Sequence, residues 1–254
     1  MAHWLDPVTR ALDARLDPLD IFFRDDDAGW ADDQLFELLD LSARHRWPID
    51  LAVIPTAVRD PLAAALVTRV HAGSPIGLHQ HGFMHLNHEP EGRPCEFGPS
   101  RTAAAQQRDI AAGRHALREY FGPFLDPIFT PPWNRCTPAT AAGVLECGLT
   151  AISRDRSAGP LNVEGLADCS IRMDWFARVK GKRLTRQQWA ERVGEEVADA
   201  TTPFGVMLHH AQMDRDECRA LAELMTTCAA TMQARGVLMR DVVAGTMARM
   251  SGGS

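Results

Sequence analysis

Short apolar segments alternate along this chain with longer segments of helical periodicity. Apolar runs bounded by turn residues predict strands at 20–24, 49–54, 74–78, 127–130, 149–152 and 204–208. Between them, apolar spacing predicts helices that start at Asp32 or Asp33 and that cover 57–71, 100–121, 138–147 and 184–200. This alternation of strands and helices predicts an α/β fold with a parallel sheet.

The chain has 254 residues and an apolar fraction of 45%, which is enough for one well-buried core. We find no internal repeat and no long linker. We therefore predict a single domain over residues 1–254, with an N-terminal arm at 1–19 and a loose tail at 251–254.

Composition indicates which partners and which cellular location to expect. The net charge of −6 disfavours a nucleic-acid partner, because a phosphate backbone requires a basic surface. The chain has no run of about 18 apolar residues, so we expect no membrane span. The N-terminus lacks the basic and apolar segments of a secretory signal, and the six cysteines form no Cys-x-x-Cys pair. We therefore expect a cytoplasmic protein with reduced thiols, and nothing in the sequence specifies its oligomeric state.

Four of the ten histidines lie within residues 77–88. Histidine is a common ligand of transition metals, and His81 and His85 would share one face if the chain turned helical after Gly82. A histidine-rich surface loop is the alternative. The aspartates 25–27 follow the first strand, where buried carboxylates are costly unless a cation binds them. Their alternative role is an acidic turn that caps the next helix.

Polar clusters follow four of the predicted strands. They are residues 25–27, 79–88, 131–135 and 209–210. The carboxyl ends of the strands of a parallel barrel meet at one rim, where active sites of such folds lie. We therefore predict a distorted (β/α) barrel with a functional site at that rim.

Five short motifs within residues 20–215 resemble, in order, those of the polysaccharide deacetylases of the NodB-homology type, carbohydrate esterase family four. They are Asp26-Asp27, His81-Gly82-Phe83-Met84-His85, Thr130-Pro131-Pro132-Trp133, Asp174-Trp175 and Val206-Met207-Leu208-His209. The resemblance implies a NodB-like (β/α)7 barrel that removes an N-acyl group, chiefly acetyl, from a glycan or a smaller sugar-like molecule.

The same resemblance implies residue roles. Asp27, His81 and His85 would bind one divalent metal ion, with zinc preferred and cobalt, nickel, iron or manganese as alternatives. Asp26 would be the general base, and His209 would be the general acid. Asp174 would orient or charge His209.

Three departures from the family pattern leave alternatives open. The acidic pair could be Asp25-Asp26 rather than Asp26-Asp27. Thr130 stands where the family has an arginine, so Arg24 or Arg135 could replace that cation, or activity could be weak. His210 follows His209, and either ring could enter the site.

We expect four residues to contact the substrate: Arg24, Pro132, Trp133 and His210. Trp133 and Phe83 are predicted to form an apolar wall of the site, or else to be ordinary core aromatics. Between Arg154 and Arg186 there are eight basic and four acidic residues. They could recognise a phosphate or carboxylate on the substrate, or form a solvated basic face.

Three other functions remain open. A binding protein on an inactive scaffold would keep affinity for carbohydrate without turnover. A hydrolase of small amides could use the same fold. A non-haem iron oxygenase would also use two histidines and one carboxylate.

Overall fold

The structure is a computed structural model that describes residues 3–251, so residues 252–254 of the predicted tail lie outside it. The helices are α1 (Asp6–Asp13), α2 (Asp32–His45), α3 (Asp60–His71), α4 (Ala103–Phe121), α5 (Pro138–Glu146), α6 (Arg186–Ala198), α7 (Arg215–Ala229) and α8 (Met239–Ser251). The strands are β1 (Leu19–Ala28), β2 (Ile49–Val53), β3 (Ile76–His81), β4 (Leu125–Thr130), β5 (Ala151–Ile152), β6 (Ala167–Asp168), β7 (Ile171–Asp174), β8 (Arg178–Val179), β9 (Lys182–Arg183), β10 (Phe204–Leu208) and β11 (Ala234–Gly236).

One parallel sheet organises the fold. Its strands follow the order β6-β5-β4-β3-β2-β1-β10-β7, and β11 adds to β1. The segment 167–174 pairs with β5 through β6 and with β10 through β7, so the curled sheet returns on itself. The predicted distorted (β/α) barrel is therefore confirmed. A small antiparallel hairpin of β8 and β9 lies apart from this sheet.

Strand β1 lies between β2 and β10, and its alternation separates two environments. Successive side chains of a strand face opposite sides, so Phe23 and Asp25 share one face while Phe22, Arg24 and Asp26 share the other. Phe23 belongs to the main core, which β1 shares with the helices. Phe22 packs inside the barrel in a cluster that includes Met207 and Cys169. Arg24 and Asp26 are consequently buried within the barrel.

The predicted N-terminal arm contributes to the main core. Leu5, Val8 and Leu12 are buried in the same cluster as Trp189 and Val193 of α6. Within residues 3–251, no helix is long and apolar enough to cross a membrane.

Several predicted boundaries change. The helix predicted from residue 100 begins at Ala103, because Thr102 is its cap and accepts a hydrogen bond from the backbone N–H of Ala105. The helix predicted from residue 57 begins at Asp60. Strand β1 continues through the three aspartates to Ala28, beyond the predicted end at residue 24.

Replacing Gly205 by alanine tests the close packing of β10 inside the barrel. The added Cβ would lie 2.3 Å from the Phe22 ring and 2.9 Å from the Cα atom of Ile171. We expect a loss of about 1–3 kcal/mol in the free energy of unfolding, measured by urea denaturation. The control is Gly143→Ala in α5, where the new Cβ meets nothing closer than 3.6 Å. An alanine at that helical position should raise the free energy of unfolding by about 0.5–1 kcal/mol. Equal effects of the two substitutions would contradict the close packing at Gly205.

Candidate metal and catalytic site

The end of β1 separates its three adjacent carboxylates. The pairing of β1 with β2 shifts register between Asp25 and Ala28, and Asp27 has a left-handed φ of 74°. Such a bulge redirects the side chains that follow it. Each of the three aspartates consequently meets a different partner.

Asp25 pairs with His210 on the helix-covered side of β1. Its carboxylate accepts a hydrogen bond from His210 Nδ1 at 2.6 Å and another from the His210 backbone N–H at 2.9 Å. His210 Nε2 donates to the carbonyl oxygen of Trp30 at 2.7 Å. Because both ring nitrogens face acceptors, the ring is an imidazolium. Burial alone would lower its pKa, but the charge and hydrogen bond of Asp25 raise the pKa of His210 to about 9.

This pair bears on two of the open alternatives. His210 is fully buried and has no free ring nitrogen, so it does not contact a substrate as the sequence predicted. Asp25 is occupied by the same pair, so Asp26 and Asp27 are left to form the site. The geometry therefore supports the Asp26-Asp27 register.

Asp26 is held by Arg24 inside the barrel. Arg24 Nε and Nη2 donate to the two carboxylate oxygens of Asp26, each at 2.8 Å. Ser153 Oγ accepts from Arg24 Nη1 at 2.8 Å, and Asn134 Oδ1 accepts from Nη2 at 2.7 Å. Burial would raise the pKa of Asp26, but the positive charges of Arg24, His81 and His209 and the Arg24 hydrogen bonds lower it. Asp26 is therefore an ionised carboxylate near neutral pH.

Arg24 thus supplies the cation that Thr130 lacks, and it does so from within β1. It is completely buried, so it contacts Asp26 rather than a substrate, against the prediction. The other candidate, Arg135, donates to the carbonyl oxygen of Pro94 instead.

Asp27, His81 and His85 bring three ligand atoms within 4.8 Å of one another. Asp27 Oδ1 lies 3.2 Å from Nε2 of His81 and 3.2 Å from Nε2 of His85. Burial would raise the pKa of Asp27, but hydrogen bonds from both histidines hold it well below its usual range. The carboxylate is therefore ionised and faces two imidazoles.

The hydrogen bonding of His81 fits a metal ligand. Its Nδ1 lies 3.0 Å from the carbonyl oxygen of Thr130, an acceptor only, so Nδ1 carries the hydrogen. A neutral His81 then directs the Nε2 lone pair at the Asp27 carboxylate, an arrangement that requires a proton or a metal ion between them. Without a metal a proton serves: burial lowers the pKa of His81, but Asp27 raises it above its usual value. A carbonyl that orients a ligating histidine is usual at metal sites, so these residues fit a divalent metal ion.

The chain does not turn helical after Gly82, and an irregular loop places His85. Gly82 has a φ of 54°, and a Cβ on it would lie 2.2 Å from Glu96 Oε2. The buried Glu96 carboxylate accepts hydrogen bonds from the backbone N–H groups of Phe83, at 3.2 Å, and Met84, at 2.7 Å. His81 therefore belongs to β3 and His85 to an irregular loop held by Glu96. Of the other two histidines, His79 bonds Thr130 Oγ1 and His88 lies outside the triad.

Two aromatic side chains pack against His85. The ring of Trp30 lies 5.0 Å from it and the ring of Trp133 lies 4.5 Å from it, centre to centre. Phe83 instead packs against a hydrophobic cluster with Phe97 and Phe129. Pro132 is buried, and a Cβ on Gly82 would lie 2.6 Å from its ring, so the proline shapes the loop. This burial does not favour the predicted contact with a substrate.

His209 and Asp174 lie at the ends of β10 and β7. His209 Nδ1 is buried and has no hydrogen-bond partner in the described part of the chain. Asp174 accepts a hydrogen bond from the backbone N–H of Phe176 at 2.8 Å. Burial raises the pKa of Asp174, which the Phe176 hydrogen bond and then the positive charge of His209 partly offset. The two side chains therefore interact through charge, and residues 3–251 contain no hydrogen bond between them.

Several site residues were not identified from the sequence. Ser153 follows β5, so the rule that polar residues at strand ends share one rim would have found it. Asn134 lies in the polar cluster 131–135 that this rule did find, but its contact with Arg24 was not predicted. Glu96 and Trp30 lie in loops, and nothing in the local pattern marks them. Their roles depend on how those loops fold back over β1 and β3.

Comparison with known proteins supports the fold. Neither a family model nor a curated protein sequence matches this chain. A candidate polysaccharide deacetylase from Mycobacterium smegmatis has a similar structure, with a TM-score of 0.66 at 14% identity over 93% of each chain. A family 4 acetyl xylan esterase from Clostridium thermocellum, in complex with a cobalt ion, has a TM-score of 0.58 at 13% identity, covering 90% of this chain and 92% of its own.

A family 4 carbohydrate esterase from Streptomyces lividans, in complex with acetate, has a TM-score of 0.53 at 12% identity, covering 87% of this chain and 92% of its own. The chain therefore has the fold of the polysaccharide deacetylases and family 4 carbohydrate esterases. The NodB-like barrel that the motifs implied is confirmed.

Replacing Glu96 tests how His85 is positioned. In Glu96→Ala the Phe83 and Met84 N–H groups lose their acceptor, and the loop should no longer hold His85 beside Asp27. We expect affinity for zinc to fall about 10- to 100-fold, measured by competition with a chelator. The control is Glu91→Ala, which removes an exposed carboxylate five residues earlier in the chain. Unchanged zinc affinity in Glu96→Ala would contradict this role.

The Asp25–His210 pair predicts a pH dependence of stability. The pKa of His210 is higher in the folded protein than in the unfolded chain. The pair therefore stabilises the fold fully below the unfolded pKa of about 6.5, and this stabilisation is lost as the pH rises through the folded pKa of about 9. The difference in unfolding free energy between wild type and His210→Gln, measured in urea, should therefore shrink by about 3 kcal/mol between pH 6 and pH 10. A constant difference would show that the ring is neutral.

Proposed function

We propose that this protein is a metal-dependent hydrolase of the polysaccharide deacetylase family. It would remove an N-acyl group, in the first instance acetyl, from a sugar or sugar-like substrate. The observation that carries this proposal is the convergence of Asp27, His81 and His85 within 4.8 Å beside Asp26, a carboxylate kept ionised by Arg24.

The donor set suits one divalent metal ion. Two imidazoles and one carboxylate favour zinc, and cobalt, nickel, iron and manganese also accept these ligands. A bound divalent ion would polarise the acyl carbonyl and lower the pKa of water toward about 7. The identity of the metal is part of the proposal.

Asp26 and His209 would each carry out one proton transfer. Asp26 would accept the proton of the attacking water on a carboxylate oxygen, and Arg24 keeps that carboxylate charged and fixed. His209 would donate a proton to the nitrogen of the leaving amine, with Asp174 favouring its charged form. Each such group typically contributes about a hundred- to ten-thousand-fold to the rate.

Trp30 and Trp133 would bind the apolar face of the sugar or the acyl methyl group. Both rings flank His85, and Trp30 is 43% exposed. An apolar wall beside the reacting group would also exclude water from it.

The alternative of an inactive binding protein depended on the missing motif arginine. The bidentate contact between Arg24 and Asp26 weakens that argument, because it places a cation on the proposed base. A hydrolase of small amides would use the same residues, and a panel of substrates separates it from a sugar deacetylase.

Two substitutions separate metal binding from catalysis. His85→Ala should lose most of the bound metal, because one of three ligands is removed. Asp26→Asn should retain near-stoichiometric metal and lose about a hundred- to ten-thousand-fold in kcat, because only the base is removed. Metal content is measured by mass spectrometry, and turnover by acetate release from N-acetylated sugars.

The matched control is His88→Ala, which removes a histidine of the same loop that lies outside the triad. It should keep both metal and activity. Equal metal in wild type and His85→Ala would refute the proposed ligands, and Asp26→Asn with full activity would refute the proposed base.

A further inference from the structure

A large cleft lies beside the candidate site and shares three residues with its surroundings. Its volume is about 1050 Å³, and Trp133, Asn134 and Asp174 of the site line it. Beyond them, its wall contains Arg154, Arg156, Arg172, Arg178 and Arg192. The basic residues noted in the sequence after Arg154 thus reach the same cleft as the site, although the protein as a whole has a net charge of −6.

Arg154 is buried in this wall without a counter-charge. It is only 3% exposed, and none of the ion pairs within residues 3–251 includes it. Its Nη2 donates to the carbonyl oxygen of Gly159, and its Nε has no hydrogen-bond partner. The nearby Cys136 thiol is neutral, because burial raises its pKa to about 12. A buried guanidinium without an anion is costly, so this position calls for an anionic ligand.

The neighbouring arginines leave excess positive charge. Arg156 and Arg172 share one carboxylate, Glu196, at 2.8 Å and 3.4 Å. Arg178 and Arg192 are exposed and have no carboxylate within 4.0 Å among the described residues. Two further arginines, Arg93 and Arg135, also line the cleft. The carboxylates of its lining therefore do not balance its seven guanidinium groups; they are Glu89, Glu91, Asp155, Asp174 and Glu196.

The position of Arg154 couples this charge to the proposed site. Arg154 follows Ser153, whose hydroxyl accepts from Arg24, the residue that holds Asp26. At the end of β5, Ser153 thus supports Arg24 and through it the proposed base, and the next residue, Arg154, lines the cleft. A ligand with its acyl amide near Asp26 would extend its remaining groups toward the arginines.

We propose that the cleft binds an acidic group of the substrate, a phosphate or a carboxylate, so that the substrate is an anionic N-acylated sugar rather than a neutral one. Guanidinium groups bind both anions through paired hydrogen bonds, and Arg154 is the central contact. The proposal rests on the proposed function for the position of the amide, but the anion site itself does not require turnover.

The first test compares three substrates: N-acetylglucosamine, its 6-phosphate, and N-acetylmuramic acid, which has a carboxylate. We expect kcat/KM to be at least about tenfold higher for one or both acidic sugars, and the preferred one identifies the anion. Arg154→Gln should remove this preference, and Arg108→Gln, which removes an exposed charge of α4, should keep it. Equal kcat/KM for all three sugars in the wild type would overturn the proposal.

The second test measures binding without turnover. Calorimetry of the Asp26→Asn protein with N-acetylglucosamine 6-phosphate and with N-acetylmuramic acid should give affinities that fall about 10- to 100-fold on adding Arg154→Gln. Arg192→Gln changes an exposed residue and does not endanger folding. This change should weaken binding of the acidic sugars about two- to fivefold. If Arg154→Gln does not fold, the result for Arg192→Gln tests the anion site by itself.

The two proposals fail separately. Arginine-dependent binding of an acidic sugar, with no acetate released from any of the three, would refute the hydrolase and retain the anion site. Acetate release, with binding of both acidic sugars unchanged by Arg154→Gln and Arg192→Gln, would refute the anion site and retain the hydrolase.

Discussion

Three adjacent carboxylates at the end of one buried strand require three separate means of neutralisation. Asp25 meets the His210 imidazolium, Asp26 meets the Arg24 guanidinium, and Asp27 meets His81 and His85. Alternation along β1 sends the first two to opposite faces, and the bulge gives the third its own direction. The candidate site depends on this separation, because like charges that shared one face would repel and drive up each other's pKa.

The partners of these carboxylates come from distant parts of the chain. His210 follows β10, the strand beside β1, and His81 ends β3. Asn134 and Ser153, which also hold Arg24, follow β4 and β5. Closure of the sheet through the segment 167–174 therefore has a chemical consequence. It brings the ends of β1, β3, β4, β5 and β10 to one rim, where their polar side chains meet.

The cation beside Asp26 comes from a different position in the sequence than the family motif implies. Thr130 stands at the position where the related motif has an arginine, and it orients His81 and contacts His79 instead. Arg24 occupies the barrel interior from β1 and makes a bidentate contact, which keeps Asp26 ionised. The electrostatic requirement of the site is thus met although the motif is changed.

The sequence by itself determined the order of strands and helices and the residues at the strand ends. Apolar runs, proline and glycine positions and the spacing of His81 and His85 are local signals, and they sufficed to predict a parallel barrel and a candidate metal triad. The partners of those residues depended on tertiary structure. His210 is held by Asp25 and the Trp30 carbonyl, which lie 180 residues or more away along the chain. The position of His85 depended on Glu96 rather than on a helix, because a buried carboxylate satisfied the loop's backbone N–H groups. Local pattern specifies which side chains reach the rim, and only the closed sheet specifies which charges meet there.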